Sequence, residues 1–264
     1  MQKIVIASIA KDIGETFHLD YKRIIQAFSD FEIVKWIIIE SNSTDNSIAI
    51  LNEYSKNSNI IKFESLSSHG SESLLRSQKM GNARNKYLEL FNKINEKNDI
   101  AYLVVCDLNN LNCELEKAAV KSCWESNEWA AVTANQSGPY YDVWTVRHPI
   151  WLPYDPWEKY EELQIPLGSS VQALWDFVYS KMINIPINTP WIKVDSAFGG
   201  FAIYKTQYIF GCEYIGITSK GTTVCEHVSF NQGIVNNGGL IYINPNFINF
   251  KLTDHSLDML GMLT

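Results

Sequence analysis

Apolar residues along this chain follow two rhythms. Lys3–Ser8, Val34–Ile39 and Ile100–Cys106 are near-continuous apolar runs, the pattern of parallel strands buried on both faces. Ile60–Phe63 is a shorter run of the same kind. Between the runs the spacing changes to three and four. Phe17, Tyr21, Ile24, Ile25 and Phe28 share one face of a helix over 17–28. Ile48, Ile50, Leu51 and Tyr54 do so over 45–54, and Met80, Ala83, Tyr87, Leu90, Phe91 and Ile94 over 80–94. This is helical periodicity. Ser65–Gln78 is rich in Ser and lacks a period, so it reads as a surface loop. Strands alternating with helices predict parallel βαβ units with right-handed crossovers.

After about residue 130 the texture changes. Val132–Ala134, Val143–Val146, Phe201–Tyr204 and Leu240–Pro245 read as strands, and a helix begins at Cys225. Long connections rich in Trp, Tyr and Pro separate them, and neither a linker nor an internal repeat is evident. The expectation is an α/β fold in one domain over 1–264. A single mixed sheet is parallel at first and partly antiparallel later.

Composition narrows the function. The chain has 264 residues, 46% hydrophobic and 19% charged, which excludes disorder. A net charge of −7 and no basic cluster argue against nucleic acid as a partner. The five cysteines show no CxxC spacing, so they read as reduced thiols and not as a zinc site. No segment reaches the ~20 apolar residues of a membrane span, and the first residues are too short an apolar run for a signal peptide. A cytoplasmic location is expected, with peripheral contact at the inner membrane face compatible with it.

Candidate chemistry gathers at strand ends. The run Tyr102–Cys106 leads into Asp107-Leu108-Asn109-Asn110. Ligands in open α/β sheets lie at such carboxyl ends, and oxygen ligands spaced this way can face one hard cation. An Asp that ends the strand and caps the next helix is the alternative. Ile39-Glu40-Ser41-Asn42-Ser43-Thr44-Asp45 closes the second strand. It reads either as a wrap for base and ribose or as a capped helix start. Arg84, in Gly81-Asn82-Ala83-Arg84-Asn85, either points at an anion or sits solvated on the surface. Asn135–Arg147 offers carboxamides, Asp142, Arg147 and aromatic faces. That mixture suits a sugar, or a packed Trp/Tyr core with Asp142 and Arg147 paired. Gly199 and Gly200, in Asp195-Ser196-Ala197-Phe198-Gly199-Gly200, allow close backbone approach to a ligand. Glu226 and His227 open a helix, as site residues or as an N-terminal acid beside a surface His. His18, His69, His148 and His255 show no ligand spacing.

In their order and spacing, Ile39–Ser47, Gly81–Asn85 and Val104–Asn110 resemble the nucleotide-binding half of GT-A glycosyltransferases of the family-2 type. That family carries an Asp-Asp-Gly-Ser-Thr-Asp strand end, an Ala-Arg-Asn helix and an Asp-x-Asp motif. The resemblance covers about residues 3–110 and extends more loosely to about 245. Here Glu40 and Ser41 stand for the first two acids, and Asn109 for the second Asp of Asp-x-Asp.

The resemblance implies a GT-A domain with a Rossmann-like nucleotide-sugar half over about 1–112 and an acceptor half over about 113–250. It implies hexose transfer from a UDP- or GDP-type sugar to a glycan or glycolipid, as in polysaccharide biosynthesis. Ala7, Ser8, Glu40, Ser41, Asp45, Arg84, Asp107 and Leu108 would contact the donor. Asp107, Asn109 and His227 would hold Mn²⁺ or Mg²⁺. Asn135, Asp142, Arg147, Gly199 and Gly200 would face sugar and acceptor. Glu226 would be the catalytic base, and Asp195, the second catalytic candidate, would border the donor sugar and acceptor. Replacement of the acid at 109 implies weaker metal affinity, a site completed by the diphosphate, or a metal-poor mechanism. Two alternatives stay open: a degenerate member that binds without turnover, and a sugar nucleotidyltransferase, although Ala7–Lys11 makes a poor phosphate loop.

Overall fold

The structure is a computed structural model that describes residues 1–66 and 73–261. Its elements in chain order are β1 (Lys3–Ala10), α1 (Phe17–Ala27), β2 (Glu32–Ser41), α2 (Ser47–Asn57), β3 (Ile61–Leu66), α3 (Arg76–Asn98), β4 (Tyr102–Cys106) and α4 (Lys117–Ser122). There follow β5 (Ala131–Gln136), α5 (Pro156–Leu163), α6 (Ser170–Phe177), β6 (Ile192–Val194), β7 (Phe201–Lys205), α7 (Glu226–Asn236), β8 (Ile241–Phe250) and α8 (Asp254–Gly261).

One eight-stranded sheet runs β3-β2-β1-β4-β7-β5-β8-β6. The β3-β2-β1-β4 side is parallel. β7 then enters antiparallel between β4 and β5, and β6 is antiparallel on the far edge. The expected mixed sheet is therefore present, and β7 is the strand that changes its direction.

The apolar runs are buried for the reason their pattern suggested. In β1, Ile4 and Ile6 join the core beneath α1, α2 and α4, while Val5 and Ala7 join the core beneath α3 and α7. This is the two-residue alternation of a strand covered on both faces. Tyr87 and Phe91 anchor α3 on one side; Phe17, Ile24 and Phe28 anchor α1 on the other.

Several segments differ from expectation. Val143–Val146 is a turn rather than a strand: Thr145 N–H donates to the Asp142 carbonyl and Val146 N–H to that of Val143. The Thr145 hydroxyl also donates to the Asp142 carbonyl, which holds the backbone in a turn despite two β-branched Val residues. The Trp- and Pro-rich connection contains α5 and α6, each capped by a side chain, Asp155 and Ser169 respectively. β8 runs on through Pro245 to Phe250, and its register against β5 shifts there. A proline lacks the ladder donor, so an irregularity at that point is expected. In the expected loop 65–78, Ser65 and Leu66 complete β3 and Arg76 starts α3; residues 67–72, His69 among them, lie outside the described residues. No helix among the described residues is long and apolar enough to cross a membrane.

Candidate active site

Two cavities meet at the carboxyl ends of β1, β2 and β4. The larger, about 500 Å³, is lined by Ile9, Ala10 and Lys11 at the end of β1, Ser41 and Asn42 at the end of β2, and Asp107, Leu108 and Asn109 after β4. Arg76, Lys79, Met80 and Ala83 of α3 close it. The smaller, about 160 Å³, is lined by Arg84, Asp142, Trp144, Trp157, Phe198, Glu226 and His227 among others. Arg76, Met80 and Asp107 belong to both.

The wall between the cavities is built around Arg84, which is 1% exposed. Its Nε donates to Glu226 Oε1 at 2.9 Å and its Nη2 to Asp107 Oδ1 at 3.2 Å. The guanidinium carbon lies 5.3 Å from the Phe198 ring centre and 5.7 Å from that of Tyr214. Its Nη1 has no hydrogen-bond partner among the described residues. Burial would discharge Arg84, but Tyr87, Asp107 and Glu226 outweigh it and raise its pKa well above the ordinary value. The guanidinium is a permanent cation set among acids. The carboxyl of Asp107 is raised because burial outweighs the opposing pull of Arg84.

Asp142 reaches the small cavity from the turn after β5. Its Oδ2 accepts from Gly199 N–H at 2.9 Å. Burial, with Asp107 and Glu226 adding repulsion, raises its pKa to about 8. Gly199 has φ +66°, and a Cβ there would stand 2.6 Å from the Ala134 carbonyl oxygen, so only glycine fits. The carbonyl of Gly200 accepts from Asp107 N–H at 2.9 Å. The two glycines thus tie both acids to the start of β7.

A buried carboxamide chain fixes this arrangement from below. Gln136 and Asn249 both donate to the Gly199 carbonyl, Asn249 donates to Asn112, and Asn112 donates to the Asp107 carbonyl.

His227 is 2% exposed and stacks on Phe198 at a centroid distance of 3.8 Å. Neither ring nitrogen has a hydrogen-bond partner among the described residues. Burial, then the charge of Arg84, lowers its pKa well below 6.5, so the imidazole is neutral.

Other residues expected at the site stand as follows. Ala7 and Ser8 are fully buried, with Ser8 Oγ within hydrogen-bond distance of Cys106 Sγ and accepting from Trp36; Ile9, Ala10 and Lys11 line the cavity beyond them. Glu40 accepts from Ser43 N–H and from Ser65 Oγ. Asp45 accepts from Gly14 N–H at 2.9 Å and caps Ser47, tying the loop after β2 to the loop after β1. Ser41 and Leu108 line the large cavity. Asn135 is buried and donates to the Ile185 and Pro245 carbonyls. Arg147 pairs with Asp155 at 2.5 Å, not with Asp142. Asp195 is exposed and lines neither cavity.

The three expected metal ligands do not share one cavity: Asn109 and His227 line different ones, each with Asp107. Asn109 lines only the large cavity, and its Oδ1 accepts from Thr16. His227 lines only the small one. Asp107 is already bonded to a buried guanidinium, whose charge opposes a dication beside it. Among the described residues no group of three His, Cys, Asp or Glu is arranged to hold a metal. These residues do not fit Mn²⁺ or Mg²⁺.

Sequence reasoning missed Arg76, Lys79, Trp157, Phe198 and the carboxamides Asn112 and Asn249. Two cations in the first turn of α3, where the helix dipole favours acids, were a legible signal. The carboxamides gave none, because their partners are distant in sequence.

No family model and no curated protein matches this chain. Solved structures do. One of S. aureus TarS 1–349 in complex with UDP-GlcNAc aligns with 98% of this chain and 61% of that one, at TM-score 0.50 and 13% identity. Another of S. aureus TarS aligns with 100% of this chain and 39% of that one, at TM-score 0.50 and 12% identity. A mannosyltransferase from Pyrobaculum calidifontis, solved with GDP-Man and Mn²⁺, aligns with 94% of this chain and 56% of that one at TM-score 0.46 and 11% identity, too loosely to carry an argument. The chain spans less than two thirds of the length of each. The likeness is one of fold: this chain has the GT-A fold of glycosyltransferases.

Proposed function

We propose that this chain is a glycosyltransferase that moves a hexose from a nucleoside diphosphate sugar to a hydroxyl of a glycan or glycolipid. The observation that carries this reading is the pair of cavities meeting at Asp107. The large one suits a nucleoside diphosphate; the small one, with carboxyls and aromatic faces, suits a sugar. On this reading residues 1–112 supply most of the donor site and 113–250 most of the acceptor site.

In the reaction the acceptor oxygen bonds to the anomeric carbon as the carbon–oxygen bond to phosphate breaks. The electron pair leaves with the nucleoside diphosphate. The acceptor proton goes to a carboxylate of the small cavity. Glu226, the base expected from the resemblance, is committed to an ion pair with Arg84 at 2.9 Å. Asp142, raised to about 8 by burial, forms no ion pair among the described residues, and we assign it the proton. Glu226 and Asp107 then orient Arg84, whose positive charge stabilises the charge developing on the leaving phosphate. Asp195 lies outside this scheme.

The test is release of UDP or GDP from a panel of nucleotide sugars with simple saccharide acceptors, by wild type, Asp142→Asn and Glu226→Gln. Acceptor-dependent release lost most in Asp142→Asn supports the scheme; a larger loss in Glu226→Gln returns the base to Glu226. Binding of nucleotide sugar without release would leave a nucleotide-binding protein without turnover. A sugar nucleotidyltransferase would form nucleotide sugar from NTP and sugar phosphate.

A further inference from the structure

The large cavity has the wrong charge for a metal site and the right one for phosphate. In a chain of net charge −7, it gathers Lys11, Arg76 and Lys79 against a single carboxylate, Asp107. None of the three forms an ion pair with a carboxylate among the described residues. Arg76 and Lys79 occupy the first turn of α3, which holds no acid. Cations there cost helix stability, because they face the positive end of the dipole. A bound anion would reverse that cost. Arg84, which lines the small cavity, is 1% exposed and bonds Asp107, the one carboxylate of the large cavity.

We infer that this chain holds a diphosphate with its own cations, Lys11, Arg76 and Lys79 around the large cavity, so that nucleoside diphosphate binds without a divalent metal ion. This rests on the nucleotide-sugar reading above and goes further, because it removes the metal from that site. Asn109 is then a loop residue held by Thr16, and replacing an acid there by Asn removes a charge that would repel the phosphates.

The test is calorimetric titration of UDP and GDP into the full chain, first with EDTA and then with Mn²⁺. Wild type, Arg76→Ala, Lys79→Ala and Asn109→Asp are compared, and thermal unfolding shows that each variant is folded. The expected result is binding of one of the two nucleotides with EDTA, within about 3-fold of its affinity with Mn²⁺. Arg76→Ala and Lys79→Ala should each weaken it about 10-fold, the loss of one charge-assisted contact, with the parent nucleoside unaffected. Asn109→Asp should weaken binding with EDTA. Binding that needs Mn²⁺ would overturn the inference and leave the nucleotide reading standing. No binding of either nucleotide under both conditions would overturn both. Unchanged affinity in Arg76→Ala and Lys79→Ala would also overturn it.

Discussion

The two cavities share Asp107, Arg76 and Met80, yet their other charged groups differ. Cations dominate the side toward β1 and β2; Asp142 and Glu226 face the other, with His227 neutral between aromatic rings. Arg84 stands in the wall and is claimed from both sides, by Asp107 and by Glu226. The difference teaches how one site can separate tasks. A diphosphate needs positive charge that is present before it arrives. A hydroxyl that must lose a proton needs a carboxylate of high proton affinity, which neighbouring acids and burial provide.

The sharpest way to break this comparison is Asp142→Asn. Turnover should fall about 10²–10⁴-fold, while nucleoside diphosphate affinity stays within about 2-fold by titration. Wild-type turnover should rise with pH through about 8, as Asp142 ionises, and the variant should lose that rise. The linkage has a definite sign. The folded state holds the Asp142 proton between the ordinary 3.8 and about 8, so this residue makes stability fall as pH rises across that window. Asp142→Asn should therefore melt higher than wild type at pH 8.5 and about equally at pH 4. A lower melting temperature at pH 8.5 would mean that the carboxylate supports the fold.

Arg84→Met tests the wall. Glu226, 1% exposed, would lose its partner at 2.9 Å. Urea unfolding should show a loss of roughly 3–5 kcal/mol, and adding Glu226→Gln should recover much of it. No recovery would show that Arg84 acts through its packing on Phe198 and Tyr214 instead.

Gly199→Ala should cost about 1–3 kcal/mol, because φ is +66° and the new Cβ meets the Ala134 carbonyl. Its effect on turnover should exceed its effect on nucleotide binding, since Gly199 holds Asp142. Equal effects would mean that the cavities are coupled more tightly than their charges suggest.

At the aromatic side of the small cavity, Trp157→Ala should raise the KM for the saccharide acceptor about 10-fold, the order of one stacking contact. The smallest effect belongs to Ser41→Ala in the large cavity. One neutral hydrogen bond is worth about 0.5–1.5 kcal/mol, so nucleotide affinity should drop a few-fold and acceptor KM should not move. An exchange of these two phenotypes would reverse the assignment of the cavities.

Much of this arrangement was legible before folding. The apolar runs located β1, β2, β4 and β7, and the acid after β4 and the acid opening α7 were both found on strand and helix ends. Arg84 was left open between surface and site, because its flanks, Ala83 and Asn85, say nothing of what covers it. Its partner lies 142 positions away, and only folding shows that it is buried. Val143–Val146 failed as a strand for a local reason: Thr145 and the Asp142 carbonyl close a turn that alternation cannot reveal. Arg147 found Asp155, from the next helix start, rather than the nearer Asp142.

The sequence by itself determined the elements of the parallel side, the mixed sheet and the strand ends where chemistry gathers. Periodicity is a local property, written in residues three, four or two apart. Tertiary structure alone decided which acids are buried, that two cavities share Asp107, and that Asn109 and His227 line different ones. Those outcomes depend on burial and on pairs such as Arg84–Glu226 and Asp107–Gly200. Desolvation and Coulomb energy act through space, and no spacing along the chain encodes that distance.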